Sequence, residues 1–322
     1  ASLTKIMTAL VAIEGTSNRD VVTVSERAVA QGGAELGLQV GEKIEVRELL
    51  YALLLQSAND AAVALAEQVA GSVEDFVFLM NIKGAEIGLT GTIFQSPTGL
   101  DDSGISTATD LARLTIAASR KALFRRIVDT KFYEIPSPEG EPRTIQNRNV
   151  LLWLYQGATG GKTGFTSAAG HSVVATAERD GLRLVAVVLG APGEAFSGAA
   201  SLLNFGFSTF ERRRVIESGE RFQVLVLGLP VAVAAVRGLE ALVKRTEDLD
   251  VRIVVREGIR FPLAQGERVG KAVVSRAGER LGTVPLVTAA ESTLETMAVR
   301  SWLRAAWDVI SAAFGWLIGL FS

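Results

Sequence analysis

Residues 1–8, Ala1-Ser2-Leu3-Thr4-Lys5-Ile6-Met7-Thr8, place a serine and a lysine three positions apart at the start of an apolar run. Residues at positions i and i+3 of a helix lie on one face, with Cβ atoms roughly 5–6 Å apart. We therefore expect the Lys5 amine to reach the Ser2 hydroxyl. A serine becomes a strong nucleophile when a neighbouring base takes its proton, and a buried lysine with a depressed pKa can be that base. Alone, this spacing is common and more often marks a capped helix with an exposed lysine.

The composition excludes several classes of function. The chain has 322 residues, no cysteine and one histidine, His171, which excludes disulfides, cysteine nucleophiles and thiolate metal sites. His171 lies on a predicted strand and is expected to be structural. The formal net charge is −2, and no basic run with interleaved aromatic residues occurs, so we expect no nucleic-acid partner. Serine chemistry in this chain would need lysine as its base, and we expect neither a metal nor an organic cofactor.

Hydrophobic periodicity divides the chain into parts. Residues 1–214 combine helical patterns with three successive strands, which predicts an α+β domain with helices against an antiparallel sheet. Residues 215–292 consist of short β-rich runs separated by turns, which predicts a small all-β domain. The predicted helices of the first part are 4–14, 46–55, 60–69 (with Asp60 as its N-cap), 76–88, about 106–118, 121–128 and 197–211. Its predicted strands are 21–24, 162–165, 171–177 and 182–189, and residues 25–45 are expected to be irregular.

The segment 300–322 has small and polar residues on one helical face and large apolar residues on the other. Its uncharged part, Val309 to Phe321, has 13 residues, whereas a helix that spans a bilayer needs about 20. The segment carries Trp302, Trp307 and Trp316. We therefore expect an amphipathic helix in the membrane interface. The alternative is a helix that docks on the protein itself or on a partner.

Two further motifs accompany the opening pair. Ser57-Ala58-Asn59 separates two predicted helices, where a loop can direct a hydroxyl and a carboxamide into a cleft. Lys162-Thr163-Gly164 begins the run of strands, and its glycine allows the backbone to approach closely. The order Ser-x-x-Lys, Ser-x-Asn, Lys-Thr-Gly is that of penicillin-binding proteins and serine β-lactamases. Together the three motifs make coincidence very improbable.

The chain resembles the low-molecular-mass penicillin-binding proteins that act as serine-type D-alanyl-D-alanine carboxypeptidases. The resemblance covers nearly the whole chain. It implies a penicillin-binding-protein/β-lactamase-like transpeptidase domain, then the small all-β domain and the C-terminal amphipathic helix that hold it near the membrane. The stretches that carry the resemblance are 1–8, 49–67, 96–111, 147–152 and 161–170.

The resemblance also implies the first catalytic steps. Ser2 attacks the carbonyl between two D-alanines of a peptidoglycan stem peptide, and Lys5 takes the serine proton as the acyl-enzyme forms. Ser57 relays a proton to the leaving D-alanine. Asn59 hydrogen-bonds the substrate amide or Lys5. Penicillins, like other β-lactams, would acylate the same serine.

The resemblance assigns substrate binding to the third motif. Lys162 supplies positive charge, Thr163 binds the substrate carboxylate, and Gly164 lets the strand lie close to the substrate. The backbone N–H of Phe165 forms the oxyanion hole together with that of Ser2.

Two features depart from the family pattern. Relatives carry an arginine that helps to bind the terminal carboxylate, and this position falls on Ala195, with Arg212 to Arg214 further along. The family also has sheet-forming strands before the nucleophile, whereas Ser2 is the second residue here. We expect the sequence to be a fragment or processed form without its signal peptide, and the protein to be extracytoplasmic and peripherally bound to the cytoplasmic membrane.

Two other functions stay open at this point. A class A-type β-lactamase shares the three motifs but needs a glutamate that activates the deacylating water. Glu134, Glu139 and Glu141 precede the Lys-Thr-Gly strand, none of them in a Glu-x-x-Leu-Asn setting. The second alternative is a degenerate, non-catalytic protein that binds cell-wall peptides.

Overall fold

The structure is a computed structural model that describes residues 1–101, 103–193 and 195–293. The chain divides into two units, of which the first is Ala1–Ser208 and the second begins at Thr209. The predicted domain boundary after residue 214 falls inside a strand, Phe210–Ile216, which pairs with Leu239–Lys244 of the second unit. The predicted membrane-associated helix, 300–322, lies outside the described residues.

Helices form most of the first unit. A single 3₁₀ turn, Ser2–Thr4, precedes the first helix, and a wider π-type turn, Ala52–Gln56, follows the third. In the part of the chain described, no helix combines the length and apolar character that crossing a bilayer requires. The helices are α1 (Lys5–Gly15), α2 (Glu26–Val29), α3 (Val46–Tyr51), α4 (Asn59–Ala70), α5 (Val73–Ile87), α6 (Ala108–Ala118), α7 (Ala122–Asp129), α8 (Leu151–Leu154) and α9 (Ala195–Thr209).

The strands of the first unit are antiparallel. Two pairs are β1 (Val21–Thr23) with β2 (Lys43–Glu45), and β3 (Phe132–Ile135) with β4 (Arg143–Gln146). The strands β5 (Ala158–Thr166), β6 (Gly170–Arg179) and β7 (Leu182–Ala191) form a three-stranded sheet in that order. The three successive strands expected from the sequence are therefore confirmed. The register places Lys162 opposite Val174 and Thr163 opposite Val173.

Helix α1 lies at the centre of the first unit. Every residue from Lys5 to Ala12 is buried, as expected of a helix that is apolar on all sides. Its polar side chains are bonded to one loop: Thr8 donates to the carbonyl of Pro97 at 2.6 Å, and Lys5 donates to the carbonyl of Thr98. Burial and these two hydrogen bonds thus fix the N-terminal end of α1, which carries Lys5.

Two local expectations from the sequence are wrong. The stretch 25–45 is not wholly irregular, because it contains α2, which Ser25 caps, and β2, which pairs with β1. Asp60 is not an N-cap, because α4 begins at Asn59 and the carboxylate of Asp60 accepts hydrogen bonds from a different loop. Gly71 ends α4 in the left-handed conformation, which glycine adopts more readily than other residues.

The second unit is built of strands over the residues described. Its core is formed by small and branched side chains on inward-facing positions, such as Val231, Val233 and Val284. The expected α+β domain followed by a small all-β domain is thus confirmed. The strands are β8 (Phe210–Ile216), β9 (Arg221–Val226), β10 (Leu229–Ala235), β11 (Leu239–Lys244), β12 (Asp250–Val255), β13 (Arg268–Arg276) and β14 (Glu279–Thr288), in a five-stranded sheet β12-β13-β14-β10-β9 and a pair β11-β8.

Candidate active site

The first two motif residues meet at the start of α1. Ser2 lies in the 3₁₀ turn and Lys5 is the first residue of the helix. The Nζ of Lys5 donates to the Oγ of Ser2 at 3.0 Å and to the carbonyl of Thr98 at 2.7 Å. The bond to the carbonyl of Thr98 therefore helps to hold the Lys5 amine against the Ser2 hydroxyl.

The pKa of Lys5 lies near neutral pH. Its side chain is completely buried. Burial, followed by the positive charge of Arg148, lowers the pKa of Lys5 from 10.5 to about 7. A lysine in this range is partly neutral at pH 7, and a neutral amine can accept the serine proton.

The loop around Gly99 adjoins the turn that carries Ser2. Gly99 has a φ of +70°, and a Cβ at this position would lie 2.4 Å from the carbonyl oxygen of Ala1. Any larger residue would thus push the loop away from the nucleophile. The sequence did not indicate a role for this loop, although the carbonyl of Thr98 accepts a hydrogen bond from Lys5.

Ser57 and Asn59 lie between the π-type turn that follows α3 and the first residue of α4. Ser57 adopts the left-handed conformation, with φ 69° and ψ 30°, directly after the π-type turn. Such a turn re-aims side chains and is frequent at functional sites. The Nδ2 of Asn59 donates to the carbonyl of Gly32 at 2.7 Å, whereas its buried Oδ1 has no hydrogen-bond partner among the residues described. None of the described residues donates to Asn59 Oδ1, so this oxygen can accept a hydrogen bond from a ligand.

The third motif packs against the first. A Cβ at Gly164 would lie 3.2 Å from the backbone nitrogen of Ser2, so a larger residue would force β5 or the turn that carries the nucleophile to shift by a few tenths of an ångström. Lys162 is buried, and its Nζ donates to the carbonyl of Thr163 at 2.9 Å. Burial, followed by the charges of Lys5 and Arg148, holds the pKa of Lys162 well below its usual value.

These motifs open onto one cleft of about 440 Å³. Phe165 and His171 stack at its rim, with ring centroids 4.4 Å apart. His171, expected to be structural, therefore borders the site. The described lining residues are Ser2, Gly33, Ala34, Ser57, Asn59, Leu100, Arg148, Thr163, Gly164, Phe165, His171, Ser172, Val173, Ala195 and Phe196.

Asp60 shapes one wall of this cleft, a role that the sequence did not indicate. Its carboxylate is buried and accepts hydrogen bonds from the backbone N–H groups of Leu36, Gly37 and Leu38 at 3.0–3.1 Å. These bonds fix the loop that contributes Gly33 to the cleft. The only sequence signal is an acid next to the Ser-x-Asn motif, which does not specify a partner 24 residues away.

Replacing Asp60 with alanine is expected to lower the free energy of unfolding by about 2–4 kcal/mol, because it leaves several buried N–H groups without acceptors. Asp60→Asn keeps one carbonyl oxygen and should lose less. The measurement is denaturant unfolding, with Asp129→Ala on exposed α7 surface as a control that should change stability by less than about 0.5 kcal/mol. Equal stability of Asp60→Ala and the unmodified protein would contradict this role.

Comparison with known proteins places this geometry in a family. The D-alanyl-D-alanine carboxypeptidase family profile matches residues 1–193, and the profile of the penicillin-binding protein 5 C-terminal domain matches residues 230–293. The chain belongs to the D-alanyl-D-alanine carboxypeptidase family. The family predicted from the three motifs is therefore confirmed, and the enzyme class is that of a serine-type carboxypeptidase.

Individual members of the family agree with this assignment. The chain is 33% identical to the carboxypeptidase DacF of Bacillus subtilis, over 89% of this chain and 77% of that protein. It is 32% identical to DacC of Escherichia coli, over 98% of this chain and 82% of that protein. The crystal structure of penicillin-binding protein 5 from Haemophilus influenzae is similar with a TM-score of 0.67 and 30% identity, over 90% of this chain and 89% of that one. DacD from Francisella tularensis gives a TM-score of 0.68 at 27% identity, over 91% and 87%.

Proposed function

We propose that this carboxypeptidase removes the terminal D-alanine from peptidoglycan pentapeptides through an acyl-enzyme on Ser2, and that penicillins acylate the same residue. The observation that carries the proposal is the 3.0 Å contact between Ser2 Oγ and the buried Nζ of Lys5. The pKa of this lysine is lowered to about 7, so its neutral form is available near physiological pH. The relatives are named as D-alanyl-D-alanine carboxypeptidases and penicillin-binding proteins.

Acylation begins with proton transfer from Ser2 to neutral Lys5. The Oγ of Ser2 attacks the carbonyl carbon between the two D-alanines and forms a tetrahedral oxyanion. The backbone N–H groups of Ser2 and Phe165 stabilise this charge, since Gly164 brings the two segments together. When the C–N bond breaks, Ser57 relays the proton from Lys5 to the departing D-alanine amine.

Asn59 and Thr163 position the substrate. The partnerless Oδ1 of Asn59 accepts a hydrogen bond from the peptide N–H, which satisfies this buried atom. Thr163 lies on the open side of β5 and offers its hydroxyl to the substrate carboxylate. Water then hydrolyses the ester, with Lys5 as the base that accepts the water proton, and Ser2 is regenerated.

The cleft favours this function over a β-lactamase. No carboxylate is present among the described residues that line it. Glu134 and Glu141 are exposed, and Glu139 instead accepts a hydrogen bond from Gln39. A β-lactam acyl-enzyme would therefore lack the glutamate that activates the deacylating water in a class A-type β-lactamase, and it should be long-lived.

The remaining expectations concern domains and location. We place catalysis in residues 1–214 and assign the β domain, 215–292, to holding the catalytic domain near the membrane surface. The protein acts outside the cytoplasm, where peptidoglycan peptides occur, and the amphipathic pattern of 300–322 favours peripheral attachment to the membrane. Binding of the full-length protein to anionic lipid vesicles, compared with a variant that ends at residue 293, tests the attachment.

The function is tested by incubating the protein with a D-Ala-D-Ala pentapeptide and separately with benzylpenicillin, and following both by mass spectrometry. We expect loss of one alanine from the peptide and a protein adduct that persists far longer than a catalytic turnover. Rapid multiple turnover of benzylpenicillin would instead indicate a β-lactamase. Absence of both peptide cleavage and an adduct would favour the non-catalytic binding protein.

A further inference from the structure

The second unit contains a hairpin with an apolar turn. Strands β9 and β10 pair with Val226 opposite Leu229. The turn between them is therefore Leu227-Gly228, and both residues have positive φ, 51° and 82°. Such a turn favours asparagine, aspartate or glycine at its first position, because most other side chains are strained there. Leucine at this position therefore costs conformational energy that the turn itself does not require.

Two other hairpins of the chain have the same kind of turn. Asp180-Gly181 joins β6 to β7, and Ala277-Gly278 joins β13 to β14. Their φ values, 50° and 73° in the first and 46° and 85° in the second, are close to those of Leu227-Gly228. Neither turn has a large apolar residue at its first position. The fold thus does not need a leucine in a turn of this kind.

The leucines of residues 225–229, which we call the hairpin tip, are directed away from the core of the second unit. Val224 and Val226 face inward and are buried, whereas Leu225 is 68% exposed and Leu227 is 76% exposed. Single exposed apolar residues are common on protein surfaces. Two of them on one projecting turn, with one leucine in a strained conformation, indicate a surface that binds an apolar partner.

The hairpin tip lies at the end of the second unit where the described chain leaves it. The N–H of Ala289, just past the end of β14, donates to the carbonyl of Ala232 on β10 at 3.0 Å. Gly228 is four residues beyond Ala232, roughly 13 Å along the strand. Ser292, three residues after Ala289, is next to the last described residue. The tip and the chain exit therefore share one end of the unit, and the turn Ala277-Gly278 lies at the opposite end of β14.

The sequence beyond the exit indicates a bilayer as the apolar partner. Arg300, where the amphipathic segment begins, is seven residues past Thr293, at most about 25 Å away even in an extended chain. We proposed above that this segment, with its three tryptophans, attaches to the membrane. The end of the second unit that carries the exposed leucines is thus within reach of the same bilayer surface.

Positive charges at this end suit lipid phosphates. Arg256, Arg268 and Lys271 line one groove of about 320 Å³, with no acid among its described lining residues. The loops at this end also carry three glutamates, so its net charge is small. Insertion of the leucines therefore supplies most of the affinity, and the cations pair with phosphates of the headgroups.

We propose that the hairpin tip inserts into the outer surface of the cytoplasmic membrane, as a second attachment point beside 300–322. An interfacial apolar element enters the bilayer by about 5–10 Å, which the projection of the tip beyond Ala232 allows. Two attachment points fix the orientation of the second unit on the membrane, and the second strengthens the first because it binds within one molecule. This inference rests on the proposed membrane location and is independent of the catalytic residues.

The test measures binding of the full-length protein to vesicles of equimolar phosphatidylglycerol and phosphatidylethanolamine by sedimentation. Leu227→Asn introduces the residue that the turn favours, so it removes an apolar side chain without disturbing the hairpin. We expect the dissociation constant for lipid to rise about tenfold, because one inserted leucine is lost. The difference should persist at high salt, which screens charges but does not weaken apolar burial.

The matched control is Ala277→Asn, which makes the corresponding change in the turn at the opposite end of β14. It should bind vesicles as the unmodified protein does. Equal binding by Leu227→Asn, in a protein that does bind vesicles, would overturn the contact through the hairpin tip and leave attachment through 300–322 intact.

A fluorescent label reports contact with lipid directly. The chain has no cysteine, so Leu227→Cys carries a single environment-sensitive label. We expect its emission to shift to the blue on vesicles and to be quenched by brominated acyl chains, whereas a label at Ala277→Cys should show neither effect. A label at Leu227→Cys that is already shifted without vesicles would show that 300–322 or a second copy covers the tip, and would overturn the proposal. A full-length protein that binds no vesicles would overturn both attachment points and leave the carboxypeptidase function intact.

Discussion

Ser2→Ala is expected to reduce D-alanine release by on the order of 10⁴-fold or more, because no other described residue offers a hydroxyl to the Nζ of Lys5. Its stability should change little, since Ser2 is only partly buried and its side chain bonds only to Lys5 among the contacts described. The measurement is D-alanine released from a pentapeptide under saturating substrate, with unfolding followed in parallel.

The matched control for this variant is Ser218→Ala, which removes an exposed hydroxyl in the second unit. It should retain full activity and full labelling by a fluorescent penicillin. Release of D-alanine by Ser2→Ala at a rate comparable with the control would show that another group is the nucleophile.

The rate of acylation should rise with pH through a midpoint near 7. Only neutral Lys5 can take the proton of Ser2, and the pKa of Lys5 is lowered to about 7, so the base form disappears below this value. We expect the rate to fall about tenfold for each pH unit below about 6. The measurement is the second-order rate constant of β-lactam acylation between pH 5 and 9, a range on the order of two units on each side of the expected pKa.

Two substitutions distinguish the role of Lys5 as the base from the effect of a neighbouring charge on its pKa. Lys5→Arg replaces the amine by a guanidinium that stays protonated, so acylation should fall by on the order of 10³-fold. Arg148→Gln removes a charge that helps to lower the pKa of Lys5, so it should move the midpoint to higher pH. A pH profile that is flat across this range would contradict the role of Lys5 as the base.

Much of the site was predictable because its signals are local. The spacing of Ser2 and Lys5 fixes a contact within one helical turn, and the alternation in β5, β6 and β7 identifies the sheet that carries Lys162. Glycine stops such as Gly71 likewise follow from local backbone chemistry. These signals require no knowledge of distant partners.

What could not be predicted depends on partners far along the chain. The bonds of Asp60 to residues 36–38 and the place of Arg148 in the cleft lining become visible only when the loops are placed in space. The lowered pKa of Lys5 was expected, whereas that of Lys162 depends on a burial that the motif spacing does not reveal.

Strand β8 of the second unit was likewise not predicted from the sequence. The first two residues of this strand, Phe210–Ile216, were predicted as the end of a helix that runs to residue 211, and the domain boundary was predicted after residue 214. In the structure it pairs with β11, where Arg212 and Arg214 both reach the carboxylate of Glu240, at 3.2 and 3.5 Å. Cross-strand charge pairs of this kind favour a strand that the charged sequence alone does not indicate.

The central claim is that Ser2, activated by Lys5, forms the covalent intermediate. Its most direct test is to react the full-length protein with benzylpenicillin, digest it, and locate the adduct by tandem mass spectrometry. We expect one penicilloyl group on Ser2, absent from Ser2→Ala and much slower to form in Lys5→Arg. An adduct on any other residue, or one that still forms in Ser2→Ala, would contradict it.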